Sequence, residues 1–469
     1  MKAFRGLLAL VTGIACGESA TPPPEGQILV YFVTDAPLPP VAGAVAGPDE
    51  PPPLFDRIRV EVHGIGAASP CGDCTHEFAL DRALVASGRA SLGIVPPHHV
   101  AGTVVRVRLF LGAYVEQGQP LPEASVESFT ALPVVGDEGI TPITITLRTE
   151  DVGRTMGSLT APLAPVLGRG APLEPWAPAR RRACDGPPRD GEACIPGGAY
   201  WMGNPALRLL RAPGDVLVPH VVALSPFFID LREVTVAKFR ASAVARAGDP
   251  LPYDEHDGEP GVILHCNLTA RPENQENLPI NCLSWEQARA YCVAQGGDLP
   301  SEAQWQYVAG ALEGRLYPWG TDSPTCEDAV YARLPFTNPT FGCPGKGLVV
   351  GGSGRRDRIA RPEGEIVDLA GNATEYARDR WNLGNEACWG SGVLRDPVCD
   401  RDTSDPTAQR SHTIVGGSFA DSAAALPAGT RRPSYDFAKL AAQGPAGGVD
   451  ALVVTSTGFR CVRPATSIP

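Results

Sequence analysis

The sequence has no run of lysine and arginine interleaved with aromatics, and 40 basic against 52 acidic residues leave a net charge of −12. A nucleic-acid or anionic-membrane surface needs the opposite balance, so neither is expected as a partner of the folded body. Heptads, low-complexity tracts and short internal periods are missing, which argues against coiled coils, solenoids and propellers. No apolar segment reaches the roughly 20 residues that a membrane-spanning helix needs. Common catalytic signatures are missing too: there is no G-x-S-x-G elbow, no Walker loop, and no pair at helical spacing among eight dispersed histidines.

Glycine and proline are abundant, 52 and 48 of 469 residues. Together they make roughly a fifth of the chain against a usual share near 12%. Loops and short strands are therefore expected rather than long helices, in a chain long enough for two or three domains.

Lys2 and Arg5 precede an apolar stretch, Leu7 to Ala15, and Cys16 follows directly. The pattern resembles the lipobox of bacterial lipoproteins, in which the cysteine is acylated. Residues 1–16 are accordingly read as a signal peptide and Cys16 as the lipidated residue. The protein is expected to be exported by a bacterium to the periplasm or cell surface and to touch the membrane only through its acyl chains.

Twelve further cysteines remain, an even number that suits an oxidising compartment. Cys71/Cys74, Cys184/Cys194, Cys266/Cys282, Cys326/Cys343 and Cys388/Cys399 are near neighbours, and Cys292 with Cys461 would close a long loop. Parity does not fix the connectivity. Cys71-Gly-Asp-Cys74 is a C-x-x-C, but it has no βαβ context and no second C-x-x-C to complete a zinc site. A small loop disulfide is the expected reading.

From residue 27 to 152 the chain alternates β-type runs with turns: Ile28–Val33, Ile58–Val62, Ala90–Ile94, Val104–Phe110, Val126–Leu132 and Ile143–Leu147. Six short strands in this span predict a β-sandwich. Residues 153–183 carry five prolines between Pro162 and Pro178 and end in Arg180-Arg181-Arg182, a composition expected to give an extended spacer with a solvated end. The second domain is taken as 184–469.

That second domain is similar to the formylglycine-generating enzyme, or sulfatase-modifying factor, family. The resemblance rests on separated blocks in family order: Ile195-Pro-Gly-Gly-Ala-Tyr-Trp-Met-Gly203, Phe227-Phe-Ile-Asp-Leu-Arg-Glu-Val-Thr235, Leu278 to Cys292, and Leu299-Pro-Ser-Glu-Ala-Gln-Trp305. Tyr317-Pro-Trp-Gly320, Asp368-Leu-Ala-Gly-Asn-Ala-Thr-Glu-Tyr376, Gly416-Gly-Ser418 and Gly458-Phe-Arg-Cys461 complete the set. It implies an α+β, loop-rich variant of the C-type lectin fold. It also implies a disulfide between Cys292 and Cys461. Local patterns agree: Ser284 with Gln287 and Ser301 with Gln304 are capping boxes that open helices. Gly296-Gly297 should end the first of these helices. Thr235 should cap a further one carrying Val236, Phe239 and Ala243.

In active family members two cysteines after the Gly-Gly-Ser block bind copper(I) and oxidise a sulfatase cysteine to formylglycine. Aligned from Gly416-Gly-Ser418, those positions fall on Asp421 and Leu426. A carboxylate and an aliphatic side chain cannot replace two soft thiolates, so copper and the oxidase reaction are not expected. The family's second structural disulfide is also missing, its helix position falling near Val308. One calcium site does carry over, with Asp368 and Glu375 through carboxylates and Gly371 and Ala373 through carbonyls. Hard oxygens from a tight loop are what calcium takes. The other family calcium site, near Ala329 and Val330, lacks its asparagine.

The expected function is therefore non-catalytic: a lipid-anchored binder of an envelope protein, a polypeptide or an envelope polymer. A formylglycine-generating oxidoreductase is the alternative from another class, and a structural part of an envelope complex is the third reading.

Overall fold

The computed structural model describes residues 26–465 apart from 42, 45–46, 48–49, 209–217, 247–265, 270, 334–341, 385, 387, 407 and 435–454. Cys16 and the expected signal peptide lie outside the described residues. Among the described residues no helix is long and apolar enough to cross a membrane.

The first half is built on strands β1 (Gln27–Thr34), β2 (Arg57–His63), β3 (Thr75–Ala79), β4 (Ser91–Ile94), β5 (Val104–Phe110), β6 (Ser125–Ala131) and β7 (Ile140–Leu147). Two short strands follow, β8 (Thr155–Met156) and β9 (Val166–Leu167). One sheet has the order β9-β7-β1-β4 and the other β8-β6-β5-β2-β3. Alternating apolar side chains from both sheets meet in one core: Ile28, Val30 and Ile143 from the first, Val60, Val107 and Val126 from the second. β1 runs parallel to β7, with Ile28 opposite Thr141 and Phe32 opposite Ile145. The six expected strands are all present. β3 has no sequence signal because every one of its residues is exposed, so it shows no in–out alternation.

Residues 153–183 correct the expectation of an extended spacer. They supply β8 and β9 to the two sheets, and they bury Trp176, whose indole nitrogen donates to Glu150 at 2.7 Å. A large apolar ring with one polar edge gains more from this packing than from solvent, which overrides the extended preference of the prolines.

The second half is a loop-rich α+β unit. Its strands are β10 (Glu192–Ile195), β11 (Gly198–Met202), β12 (His220–Leu224), β13 (Phe227–Asp230), β14 (Arg358–Arg361) and β15 (Gly364–Val367). β16 (Thr374–Arg380), β17 (Leu394–Arg395), β18 (His412–Val415), β19 (Arg431–Pro433), β20 (Thr457–Gly458) and β21 (Val462–Pro464) complete them. They form small sheets: β10-β13-β21, β11-β12-β17, β19-β18-β16-β20 and the β14-β15 pair.

Helices α1 (Trp285–Ala294) and α2 (Glu302–Ala309) open on complete capping boxes at Ser284/Gln287 and Ser301/Gln304. Trp305 and Val308 of α2 face the core, as their spacing predicts. Gly296 ends α1 at φ +77°, and a side chain on Gly297 would strike the Val462 carbonyl at 2.2 Å. The Thr235-capped helix is shorter than expected, Val236–Ala241, because Ser242 turns extended and its hydroxyl caps the next turn at Ala245.

The halves share a core. Trp201 of β11 packs on Phe55 and Tyr114 with ring centroids 5.8 and 4.9 Å apart, and its indole donates to the Leu54 carbonyl at 2.6 Å. The Tyr114 hydroxyl donates to the Gly203 carbonyl at 3.0 Å. Six disulfides join Cys71–Cys74, Cys184–Cys194, Cys266–Cys282, Cys292–Cys461, Cys326–Cys343 and Cys388–Cys399.

Candidate functional site

The Gly416-Gly-Ser418 turn leaves β18 against Trp305 in the middle of α2. Gly416 has φ +75°, and a Cβ there would lie 2.9 Å from the Trp305 ring, so neither the backbone nor the space admits a larger residue. The turn delivers Ser418 and Asp421 to one another, the hydroxyl donating to the carboxylate at 2.6 Å. Arg432, on β19, grips the same carboxylate with both terminal nitrogens, at 2.6 and 2.8 Å. With Ser418 the fork places three donors on the group and a cation against its charge. Leu426 is fully buried in an apolar cluster with Tyr317, Ala329, Tyr331 and Ala370.

The two positions on which the expected thiolates fall, Asp421 and Leu426, thus hold a closed ion pair and a core aliphatic side chain. Among the described residues no free thiol lies nearby to take their place. All twelve cysteines from Cys71 to Cys461 are disulfide-bonded.

The loop 368–375 is held from several directions. Asp368 and Asn372 adopt φ +57° and +69°, turning the backbone tightly enough that successive amides point inward. The Asp357 carboxylate accepts from the amides of Leu369, Ala370 and Gly371 at 2.9–3.0 Å. Glu233 accepts from the Asn372 side chain at 2.8 Å and from the Ala373 amide at 3.0 Å. Glu375 accepts from the Trp305 indole at 3.0 Å and from Arg460 at 2.6–2.8 Å. Arg460 is completely buried and also donates to the Val367 and Asp368 carbonyls at 2.9 and 3.1 Å.

Burial pushes the carboxyls of this cluster up. Asp357 rises to about 6, Asp368 to about 7 with the neighbouring Asp357 adding to the effect, and Glu233 well above its ordinary range. Four buried carboxyls thus surround one buried guanidinium, and burial favours protons on part of the cluster over uncompensated charge. Hard oxygens are what calcium takes, and Glu375 already accepts from Arg460 and the Trp305 indole, so calcium here stays what the resemblance implies. Among the described residues no three histidine, cysteine, aspartate or glutamate side chains converge on one point. A cation here would draw on carbonyls as well, as the expected set of Asp368, Gly371, Ala373 and Glu375 does.

Sequence reasoning missed the rest of this network. Glu233 and Arg460 sit inside blocks that identify the fold, but their partners lie about 140 and 85 residues away along the chain. No local pattern could have paired them.

A second buried group underlies α2. Asp379 accepts from the amides of Glu302 and Cys399, both at 2.8 Å, and burial with the adjacent Glu302 raises it to about 7. Glu302 pairs with Arg431 at 2.5 Å, and the Arg431 guanidinium lies 4.3 Å from the centroid of the Trp381 ring. This group supports the turn after β18 and has no access to solvent.

Comparison with known proteins gives a match to the sulfatase-modifying factor enzyme 1-like domain over residues 181–465. A formylglycine-generating enzyme of Streptomyces coelicolor is 32% identical over 184 residues, covering 32% of this chain and 56% of that protein. One from Thermomonospora curvata is 25% identical over 258 residues, covering 49% and 82%. A mouse protein named inactive C-alpha-formylglycine-generating enzyme 2 is 48% identical over 155 residues, covering 27% and 49%. The chain thus spans about half the length of the Streptomyces and mouse relatives. Among solved structures, PvdO from Pseudomonas aeruginosa aligns at 20% identity with a TM-score of 0.39, covering 58% of this chain and 94% of that one.

Proposed function

Because the chain belongs to the sulfatase-modifying factor family, whose domain spans its residues 181–465, we propose that it is a catalytically silent member acting as a binding protein of a bacterial envelope. One observation carries this reading: the paired thiolate positions hold Asp421, locked by Arg432 and Ser418, and the buried Leu426. Copper(I) needs soft donors, and this arrangement offers an ion-paired carboxylate and a methyl surface. Likeness to a mouse protein whose name calls it inactive supports the same conclusion. The ligand is an extended polypeptide or an envelope polymer, and the protein reaches its membrane through an acylated Cys16. Calcium held by Asp368, Gly371, Ala373 and Glu375 orders the loop beside the closed site and takes part in no reaction.

The test is incubation of the full chain with copper, oxygen and a cysteine-containing sulfatase peptide, followed by mass spectrometry. The peptide should stay unchanged, and formylglycine in it would overturn the reading. The same preparation should melt several degrees lower after calcium chelation, and an unmoved melting curve would remove the metal.

A further inference from the structure

The basic triplet Arg180-Arg181-Arg182 has no part in the reading above, yet its outer two residues line a cleft that both halves of the molecule build. Its backbone is extended at Arg180 (φ −62°, ψ 127°), and Arg182 forms a bridge with Gly197. In extended chain, alternate residues share a face. Arg181 turns inward accordingly and donates to the Leu312 carbonyl at 3.4 Å. Arg180 and Arg182 both line the opposite side, a cleft of about 490 Å³ to which β17 adds Arg395. That volume suits a small ligand or a few units of a polymer.

Three arginines line this cleft on a chain whose net charge is −12. The nearby carboxylates are already engaged. Asp396, on the cleft wall, accepts from both the amide and the hydroxyl of Ser225 at 2.7 Å. Glu150 accepts from the Trp176 indole and from Arg395. Asp396 keeps its charge because its Ser225 partners are neutral, so the cleft sets three arginines against one carboxylate and retains a positive surplus. Pro178, Ala223 and Leu224 supply apolar wall between the charges.

We propose that this cleft is an anion-binding site for a ligand carrying two oxyanion groups, whether carboxylate, sulfate or phosphate, set about 7 Å apart to match side chains two residues apart on an extended strand. Guanidinium forks favour such groups over chloride because each donates two parallel hydrogen bonds. The site uses none of the elements around Asp421, so it stands or falls independently of the silent-enzyme reading.

The experiment is titration calorimetry of the full chain with two probes, tripolyphosphate for phosphates and trigalacturonate for carboxylates. At least one should bind, weakening as salt rises from about 20 to 150 mM. Arg180→Ala with Arg182→Ala should lower its affinity at least tenfold without moving the melting temperature, since both side chains are exposed. Arg395→Ala should lower it less, because Glu150 already shares that charge, and Arg315→Ala, paired elsewhere with Glu313, should change nothing. Whichever probe is preferred identifies the ligand chemistry. No binding of either probe at millimolar concentration, or equal affinity in the double variant, overturns the proposal.

Discussion

The first half of the chain contains five strands of seven or eight residues and a single disulfide, between cysteines three positions apart. The second half has no described strand longer than seven residues and holds the other five disulfides, one of them spanning 169 positions. Regular sheets satisfy backbone amides with backbone carbonyls. Where the second half abandons the ladder, buried carboxylates do that work: Asp357 takes three consecutive amides, Asp379 two, and Glu233 one. A loop-rich core is thus possible when acidic side chains act as acceptors and cross-links limit the unfolded chain.

The largest effect should come from the long bridge. Replacing Cys292 and Cys461 by alanine should cost about 5 kcal/mol in denaturant unfolding, whereas the same change at Cys71 and Cys74 should cost only about 2 kcal/mol. Equal losses would break the contrast between the halves.

Trp201→Ala comes next, at about 4 kcal/mol, because it empties the contact with Phe55 and Tyr114 and leaves the Leu54 carbonyl without its donor. If the halves stabilise each other, calorimetry of the variant should show both losing stability. A first half that melts at its original temperature would show the shared core to be passive.

The smallest effect is on pH dependence. Asp379 is raised from 3.8 to about 7, so the folded state holds a proton that the unfolded state releases. Its contribution is full below its unfolded pKa and is lost as pH rises through the folded value. His220 and His412, both lowered to about 4 by burial, act oppositely, since the unfolded chain protonates them first as pH falls below their ordinary 6.5. The difference between Asp379→Asn and the unaltered protein isolates the carboxyl. The variant should gain up to about 3 kcal/mol relative to the parent between pH ~5 and ~7. A flat difference curve would place the charge imbalance elsewhere.

The sequence made the strands of the first half readable because Ile28, Val30 and Phe32, like Val105, Val107 and Leu109, face one core at period two. It also made α1 and α2 readable through their capping boxes. Trp176 was hidden by its prolines, and β3 by its full exposure. At the candidate site the missing thiols were visible by inspection, but the replacement for them was not. Arg432 lies eleven residues from Asp421 across a turn, and only the pairing of β18 with β19 brings them face to face. Charges buried by folding from distant segments, such as Arg460 on Glu375, leave no local periodicity to detect.

The sheet β10-β13-β21 places the first strand of the second domain and its last on either side of a single neighbour. Both flanking strands run antiparallel to β13 and hence parallel to each other, so the chain enters beside Asp230 and leaves beside Phe227, about 10 Å along the sheet and two strand spacings across it. Ends held on one short sheet are near enough for a linker of a few residues to join them, which is the geometry that circular permutation asks of a module.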